Sequence, residues 1–188
     1  SEFPDLIDYK VLAVKQEYFG NIDLSDSFFD SLKEDYPDFS KWFNRKAEEK
    51  AYITYNNGKI LSFLYLKIEN KGENYLDITP AFSPKKRLKI GTFKVVSNGV
   101  RLGERFLKII FDNAVSNNVE EIYVTIFDKT EEQKRLISLI EDWGFSKFGE
   151  KKSNGEGTPW NALTTPPPSG IITKNSSAVC GHRPQQRI

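Results

Sequence analysis

The fold of this 188-residue chain is decided by residues 88–127, which read LKIGTFKVVSNGVRLGERFLKIIFDNAVSNNVEEIYVTIF. Residues 89–96 are rich in β-branched and aromatic side chains, which favour a strand. The pair Asn-Gly at 98–99 breaks this pattern, and from Gly103 the apolar positions recur about every 3.6 residues, as in a helix. Alternating apolar residues at 122–126 predict a second strand. The three elements make a βαβ unit, whose strands are parallel and whose crossover is right-handed.

The predicted helix is amphipathic and follows a loop that contains glycine. Its apolar face carries Leu107, Ile110, Phe111 and Ala114, which are spaced i, i+3, i+4 and i+7. The first N–H groups of a helix have no partner within it, and the helix dipole is positive at that end. We therefore expect the loop and the helix N-terminus to form an anion-binding site.

Residues 98–103, Asn-Gly-Val-Arg-Leu-Gly, resemble the acyl-CoA-binding loop of the GNAT family of N-acetyltransferases. In that family the loop pattern is Gln/Arg-x-x-Gly-x-Gly/Ala, and its last glycine matches Gly103. The first position is Asn98 instead of Gln or Arg, and Arg101 replaces the middle glycine. The order of predicted elements resembles the family over roughly residues 8–150.

A second family signature, a helix that ends in Gly-Phe, matches residues 136–145, which read LISLIEDWGF. Four residues before this glycine the family often has a tyrosine that acts as general acid, and this chain has Ile140 there. Asp77, Tyr123 and Asp128 are alternative proton-transfer groups by strand position alone. The catalytic residues are therefore left unassigned.

The resemblance implies an α/β (α+β) chain with the GNAT-like acyl-CoA N-acyltransferase fold. In this fold a mixed central sheet has helices on both faces, and a central βαβ unit carries the coenzyme A loop. The implied activity is transfer of an acetyl group from acetyl-CoA to an unidentified amine, on a small molecule or a protein. The alternative is a GNAT-like module without turnover that binds coenzyme A or regulates a larger protein. The replaced loop glycine and the missing tyrosine favour this alternative.

The same resemblance implies where coenzyme A binds. Its pyrophosphate would meet the N–H groups of residues 100–105, with charge-assisted contacts from Arg101 and Arg105. Glu104 would point away from the phosphates, and the backbone of residues 94–96 would pair with the pantetheine arm. The expected cofactor-binding residues are Val95, Val96, Asn98, Gly99, Val100, Arg101, Leu102, Gly103, Glu104, Arg105 and, near the exit of the cleft, Asp128.

The elements before the loop follow from periodicity and turn signals. Residues 9–15 and 75–82 are predicted as strands, and residues 51–69 as a hairpin around Asn57-Gly58, a pair typical of type I′ turns. Two aromatic-rich helices are predicted within residues 28–47, capped by Ser27 and Asp38. The resemblance puts these helices beside the acceptor cleft, whereas the simpler interpretation is that their aromatic residues are core.

After the second strand, Thr130 can cap a last helix, whose buried face would carry Leu136, Leu139, Ile140 and Trp143. Gly144 stands where a glycine that ends a helix is expected. One short final strand is predicted from FSKFGEK, residues 145–151. Because family members usually have a longer last strand, we expect the fold to be cut short.

Composition limits the classes of function. No apolar run has membrane-spanning length and no signal-peptide pattern opens the chain, so a cytoplasmic protein is expected. Residues 151–188 carry five basic residues and one acidic residue, which leaves 22 basic and 25 acidic residues in the rest. A body so nearly neutral argues against nucleic-acid binding by bulk charge. The run at 85–87, Lys-Lys-Arg, is expected to be a solvated loop, although it also suits an anionic acceptor or the 3′-phosphate of coenzyme A. Nucleic-acid binding through Lys85 to Lys89 is a further alternative.

Residues 153–188 differ from the rest of the chain. They have three consecutive prolines, many small polar residues and no hydrophobic period, so we expect a disordered tail or foreign, out-of-frame sequence. A single domain at residues 4–152 is the matching prediction. The chain has no methionine, and we interpret Ser1-Glu2-Phe3 as a cleavage scar or the start of a fragment. A parent protein with additional domains fits this interpretation.

The only cysteine and the only histidine, Cys180 and His182, lie in this last segment. Nucleophilic catalysis by a Cys/His pair, a histidine base and a zinc site that contains histidine are therefore not expected. We predict no metal, and the one cofactor expected is acetyl-CoA.

Overall fold

The computed structural model describes residues 12–96, 100–152 and 159–168, and of residues 100 and 101 it describes the backbone only. This part of the chain is mixed α/β, as predicted. Its strands are β1 (Lys15–Tyr18), β2 (Lys50–Asn56), β3 (Lys59–Glu69), β4 (Ile78–Thr79), β5 (Arg87–Val95), β6 (Glu121–Ile126), β7 (Ser146–Lys151) and β8 (Trp160–Thr165). Its α-helices are α1 (Asp30–Asp35), α2 (Phe39–Asn44), α3 (Val100–Ser116) and α4 (Glu131–Asp142).

The strands form one mixed sheet in the order β1-β2-β3-β5-β6-β8-β7-β4. β5 and β6 are parallel, with Arg87–Ile90 in register with Glu121–Val124. β1 with β2, β2 with β3, β6 with β8, β8 with β7 and β7 with β4 are antiparallel. The predicted βαβ unit is therefore confirmed, with α3 as the crossover.

The predicted hairpin is also confirmed. Asn57 and Gly58 connect β2 to β3, with φ angles of 49° and 78°. A type I′ turn needs positive φ at both central residues, and asparagine and glycine adopt this conformation most readily. Consecutive residues Ser62, Phe63, Leu64 and Tyr65 are all buried, so both faces of β3 are covered.

Two compact units divide the chain, and the first consists of Ser1–Leu66 and Gly91–Gly103. Its core is largely aromatic and includes Phe19, Phe28, Phe29, Phe39, Phe43 and Phe63. Burial of one such side chain contributes about 1.5–3 kcal/mol. The aromatic residues of the two predicted helices are thus core, as the simpler interpretation held.

Local capping in this unit differs from the prediction. Asp26, and not Ser27, caps the first helical segment, since its side chain accepts a hydrogen bond from the N–H of Phe28 at 2.8 Å. That segment opens as a 3₁₀ turn, and α1 follows from Asp30. Asp38 is the N-cap residue of α2, but its side chain makes no capping hydrogen bond.

The first strand also lies elsewhere than predicted. Residues 9–11 are outside the described part of the chain, and residues 12–14 have no regular structure. β1 begins at Lys15, where pairing with β2 starts. Its residues are mostly exposed, so pairing along the edge of the sheet, and not an apolar pattern, determines its position.

The second unit consists of Lys67–Ile90 and Glu104–Ile188. Of the predicted face of α3, Leu107, Ile110 and Ala114 are buried and Phe111 is half-buried, whereas Phe106, which was not predicted, is fully buried. Helix α3 ends before Asn118, which has a φ of 50°. The predicted strand at 75–82 is reduced to β4, two residues that pair with β7.

Helix α4 confirms the cap but not the whole buried face. Thr130 and Gln133 form a capping box, each side chain bonded to the other's backbone N–H. Of the predicted face only Ile140 is buried, and Trp143 is 40% exposed. Trp143 lies beyond the last helical residue and stacks on Phe111 with ring centroids 5.9 Å apart.

Strand β8 corrects the prediction for the end of the chain. Residues 160–165 were expected to have no regular structure, yet they lie between β6 and β7 and pair with both. Ala162 and Leu163 are fully buried there. The sheet therefore has a further strand after β7 and is not cut short at residue 152. The domain limits remain a prediction for the residues outside the described ranges.

Candidate functional site

Helix α3 begins at Val100, three residues before the predicted start. Asn98 and Gly99, the first two residues of the predicted loop, lie outside the described residues. The first four N–H groups of a helix have no partner within it. In α3 these are the N–H groups of residues 100–103, so the segment that matches the family pattern is itself the helix N-terminus.

Residues 102–105, at this end of the helix, divide into two groups by exposure. Leu102 and Gly103 are buried, whereas Glu104 and Arg105 are exposed. Because the helix starts earlier than predicted, Glu104 lies beyond the first turn, which contains no acidic residue. A carboxylate beyond the first turn repels an anion bound at the helix N-terminus less than a carboxylate within the first turn would. Arg105 supplies an exposed cation close to the same end.

Strand β5 runs toward this helix and continues past its parallel partner. The last register pair with β6 is Ile90 with Val124, and β5 extends to Val95. The next residue, Val96, is 47% exposed, and its N–H donates to the carbonyl oxygen of Leu61 at 2.9 Å. Val95 and Val96 thus belong to an extended segment within the first unit.

Lys94 connects this segment to α1. Its Nζ donates to the carbonyl oxygen of Phe28 at 2.7 Å and to Oγ of Ser31 at 2.6 Å. The ammonium also lies over the Phe28 ring, 5.0 Å from its centroid. The second half of β5 is therefore fixed to the start of α1, the helix that the resemblance puts beside the acceptor.

A second polar group in the same unit is centred on Tyr65, whose ring packs against Gly91. A Cβ at this glycine would lie 2.6 Å from the Tyr65 ring, so only glycine fits against that ring. The Tyr65 hydroxyl donates to Glu49, and Lys46 Nζ lies 3.0 Å from the hydroxyl and 2.9 Å from Glu49 Oε1. Lys46 also lies over the ring of Trp42.

In the second unit, Asp128 follows β6 and lines a cavity of about 410 Å³. The cavity has acidic, basic and apolar walls. Its lining residues are Asp128, Lys134, Ile137, Ser138, Glu141, Lys147, Asn161 and Leu163.

The most extensive polar cluster of the second unit surrounds Glu69, and we call it the Glu69 cluster. Oε2 of Glu69 accepts hydrogen bonds from the hydroxyl groups of Tyr75 at 2.9 Å and Tyr123 at 2.7 Å. Oε1 lies 3.5 Å from Nζ of Lys67 and 3.8 Å from Nζ of Lys89. Glu69 itself is only 4% exposed, so the carboxylate is held by protein groups and not by solvent.

This environment shifts the pKa values of three neighbours. Burial, followed by the hydrogen bond to Glu69, raises the pKa of Tyr75 to about 12. Burial and the same carboxylate raise the pKa of Tyr123 well above its usual range. Burial lowers the pKa of Lys89, although the charge of Glu69 acts in the opposite direction.

Arg87 corrects the prediction of a solvated basic loop at 85–87. Its side chain is 1% exposed, and Nε donates to Oε1 of Glu121 at 2.8 Å. Nη2 donates to the Ser83 carbonyl oxygen at 2.9 Å, and the guanidinium lies over the Phe82 ring. Such an ion pair fixes the start of β5 to β6, so this arginine is structural and not a surface cation for nucleic acid.

Two of the three alternative catalytic residues, Asp77 and Tyr123, already have partners. Asp77 pairs with Lys151 at 3.3 Å, and its carbonyl oxygen accepts from the N–H of Lys152. Tyr123 donates to Glu69. Ile140, at the position of the family's tyrosine, is fully buried and cannot take part in proton transfer. The structure thus brings Tyr123 to a carboxylate but assigns no catalytic residue.

Glu69 and Tyr75 were not singled out from the sequence, and Lys89 was named only as the end of a basic stretch considered for nucleic-acid binding. One signal was present, because Lys67 and Glu69 are charged residues at alternate positions in an otherwise apolar strand. Alternate residues share one face of a strand, and opposite charges on a buried face indicate a polar cluster. Its partners, however, come from β5, β6 and the segment before β4, and sequence spacing does not reveal such pairings.

No family model matches the sequence, and no curated protein sequence matches it either. Solved structures match its fold. The ribosomal-protein-S18-alanine N-acetyltransferase from Escherichia coli superposes with a TM-score of 0.56 and 15% identity, over 86% of this chain and 98% of that one. The IAA acetyltransferase from Bacillus cereus ATCC 14579 gives a TM-score of 0.55 and 14% identity, over 82% and 99%.

A third match is described as a predicted acetyltransferase with acetyl-CoA from Clostridium acetobutylicum. Its TM-score is 0.54 and its identity 14%, over 77% of this chain and 96% of that chain. At these identities the similarity defines the fold alone. The chain has the fold of the GNAT acetyltransferases, which confirms the fold class implied by the sequence resemblance.

Among the helices of the described residues, none combines the length and the apolar character that a membrane span requires.

Proposed function

We propose that this chain is an acetyl-CoA-dependent N-acetyltransferase that acts on an amine of a small molecule or a protein. One observation carries the proposal: strand β5 continues past its parallel partner, and α3 begins at Val100, five residues after the strand ends. A helix N-terminus favours phosphate groups, and an extended backbone can pair with the amide-bearing pantetheine arm. The GNAT fold, seen in a structure described with acetyl-CoA, supports this interpretation.

In this proposal the pyrophosphate meets the N–H groups of Val100, Arg101, Leu102 and Gly103. Arg105 adds an exposed positive charge, and the backbone of Val95 and Val96 faces the pantetheine arm. The remaining proposed contacts are Asn98, Gly99, Glu104 and Asp128, as the resemblance implied.

Bound acetyl-CoA supplies an acetyl group activated as a thioester. The protein's own contribution is to hold the amine and the donor together, which by itself accounts for a large share of a rate enhancement. The anchoring of β5 to α1 through Lys94 keeps the donor strand and the proposed acceptor helices in a fixed arrangement within the first unit. Proton transfer is left to water or to a group that the structure does not assign.

The experiment is a turnover assay in which released coenzyme A thiol is measured against a panel of primary amines and amino-terminal peptides. We expect amine-dependent thiol release, reduced at least about tenfold by Arg105→Glu, because one charge-assisted contact contributes about 1.5–3 kcal/mol. Arg135→Glu, an equal charge change at an exposed position on α4, is the matched control and should leave turnover unchanged.

A second candidate is a GNAT-like module that binds coenzyme A without turnover, as a regulatory part of a larger protein with additional domains. Burial of Ile140 at the position of the family's tyrosine favours it. Acetyl-CoA binding without thiol release on any amine of the panel would support this candidate against the enzyme. Salt-sensitive binding to RNA or DNA, through Lys85 to Lys89, is the weakest alternative, because it rests on one loop and Arg87 within it is buried.

A further inference from the structure

We propose that Trp42, Glu49 and Tyr65 form a binding site for the ammonium group of the amine acceptor, and that this acceptor is an unbranched primary alkylamine. We call these three side chains the ammonium site. In the structure the ammonium group of Lys46 occupies it. The inference rests on the proposed function, because it names the class of acceptor for that reaction. All the residues that carry it belong to the first unit.

The first argument is the set of partners that one ammonium group has in this site. Nζ of Lys46 lies 2.9 Å from Oε1 of Glu49 and 3.0 Å from the hydroxyl oxygen of Tyr65. It also lies 5.4 Å from the ring centroid of Trp42 and 4.6 Å from that of Tyr65. A carboxylate, a hydroxyl oxygen and two aromatic faces all attract an alkylammonium ion. The occupant is in effect n-butylammonium, so it indicates the charge and the shape of the ligand that fits.

The second argument is that contacts without Lys46 hold the walls of the site. The Tyr65 hydroxyl donates to the Glu49 carboxylate, and the carbonyl oxygen of Glu49 accepts from the N–H of Phe19 at 2.9 Å. The Trp42 ring packs edge-on against the rings of Phe19 and Tyr65, with centroids 5.8 and 5.7 Å apart. The site therefore keeps its walls when the lysine side chain leaves, and a preformed site binds its ligand at a lower entropic cost.

The third argument is that Lys46 can leave the site without a change of the backbone. It lies in the turn between α2 and β2, two residues after Asn44. Backbone hydrogen bonds fix this turn, from the N–H of Lys46 to the Phe43 carbonyl oxygen at 3.0 Å and from the N–H of Glu49 to the Lys46 carbonyl oxygen at 2.8 Å. Rotation about the flexible four-carbon stem of a lysine moves its ammonium group into solvent. The Glu49 side chain is 48% exposed, so an external amine reaches the carboxylate.

The fourth argument is the position of the site beside the strand that is proposed to carry acetyl-CoA. The Tyr65 ring packs so closely against Gly91 that a Cβ there would lie 2.6 Å from the ring. Gly91 is the first residue of β5 after Ile90, where the register with β6 ends. In the proposed function the pantetheine arm follows β5 back from Val96. Its thioester end therefore approaches Gly91 and the ring beside it.

The test is isothermal titration calorimetry of n-butylamine at neutral pH with Lys46→Ala, which empties the site. We expect this variant to bind n-butylamine at least about tenfold more tightly than the wild type, because the ligand no longer competes with the lysine side chain. Lys46→Arg keeps a cation in the site and should show no such gain. Lys41→Ala removes a lysine that is 83% exposed on α2, and it should bind n-butylamine like the wild type.

Two further ligands test the class of acceptor. n-Butanol has the same chain without the charge, and tert-butylamine has the charge on a branched carbon. Both should bind at least about tenfold more weakly than n-butylamine. The same ranking is expected for the wild-type chain, so this comparison does not depend on the folding of a variant.

Removal of the carboxylate tests the site in a second way. Glu49→Gln, added to Lys46→Ala, should weaken binding of n-butylamine at least about tenfold, because the site loses its full negative charge. Glu48→Gln, the same change at the neighbouring exposed position, is the matched control and should have no effect. Circular dichroism in the near ultraviolet verifies that each variant is folded. In the turnover assay, Lys46→Ala should lower the KM for n-butylamine and leave the Kd of acetyl-CoA unchanged.

Three results would overturn the inference. They are a Lys46→Ala variant that binds n-butylamine no better than the wild type, binding that Glu49→Gln leaves unchanged, and equal binding of the three ligands. Separate titrations distinguish the two proposals. Acetyl-CoA binding without the expected n-butylamine binding contradicts only the inference, whereas n-butylamine binding without acetyl-CoA binding contradicts the proposed function.

Discussion

Glu69 is an acidic side chain held almost entirely out of solvent, and its neighbours explain how the fold tolerates it. Two tyrosine hydroxyl groups donate to one oxygen, and two lysine ammonium groups face the other. A buried carboxylate without such partners would cost several kcal/mol. Because the partners come from β3, β5, β6 and the segment before β4, the cluster connects four parts of the second unit.

Replacement of this carboxylate should destabilise the fold. We expect Glu69→Gln to lower the free energy of unfolding by about 1–3 kcal/mol, since hydrogen bonds to a charged group are lost while the amide oxygen still accepts one. Urea denaturation measures the change. Glu73→Gln is the control, because Glu73 is half exposed and its ion pair with Lys67 should contribute less than about 1 kcal/mol. Equal effects of the two substitutions would contradict the buried network.

Tyr75 should make the fold sensitive to alkaline pH. Its pKa is about 12 in the folded state and about 10 in the unfolded state, so between these values the unfolded chain binds fewer protons. Stability contributed by this tyrosine is therefore present below pH 10 and is lost as the pH rises toward 12. Tyr75→Phe should show a smaller loss of stability between pH 10 and 12 than the wild type, measured by urea denaturation at each pH. An unchanged slope would show that Tyr75 titrates normally.

At the scale of elements, the parts of the fold that could be predicted are those that local sequence determines. The hairpin depends on Asn57-Gly58, the last helix on the Thr130 cap, and the βαβ unit on a change of apolar period. These signals act within a few residues, so a single sequence displays them.

The elements that were missed depend on tertiary pairing. Trp160–Thr165 is a strand because β6 and β7 lie on either side of it, although its own composition shows no period. Arg87 was predicted to be solvated from the charges around it, but Glu121 and Phe82 bury it. The Glu69 cluster was missed for the same reason.

For the proposed cofactor loop, the sequence identified the segment, whereas the predicted start of α3 was three residues later than its observed start at Val100.

Truncation tests the role of β8. A chain that ends after residue 152 lacks the strand that pairs with both β6 and β7, and we expect it not to unfold cooperatively. A chain that ends after residue 168 retains every strand described and should melt within a few degrees of the full chain. Circular dichroism in the near and far ultraviolet, followed during heating, measures both. Cooperative melting of the shorter chain at the full-length temperature would contradict the sheet order.

At the scale of the molecule, the fold is that of the GNAT acetyltransferases, while the sequence is only about 14–15% identical to the matched structures. Such a similarity defines architecture, and function has to be argued from the site. Each compact unit has its own features: the N-terminus of α3 and the extended β5 segment in the first, and the Glu69 cluster in the second. The proposed donor site depends chiefly on the first unit.

The central claim is that the N-terminus of α3 binds acetyl-CoA, and isothermal titration calorimetry on the full chain tests it most directly. We predict a Kd on the order of 1–10 μM for the wild type, at least about tenfold weaker binding for Arg105→Glu, and wild-type affinity for the control Arg135→Glu. Circular dichroism verifies that the variants are folded. A folded wild-type chain that binds no acetyl-CoA, or binding that Arg105→Glu leaves unchanged, would contradict the claim.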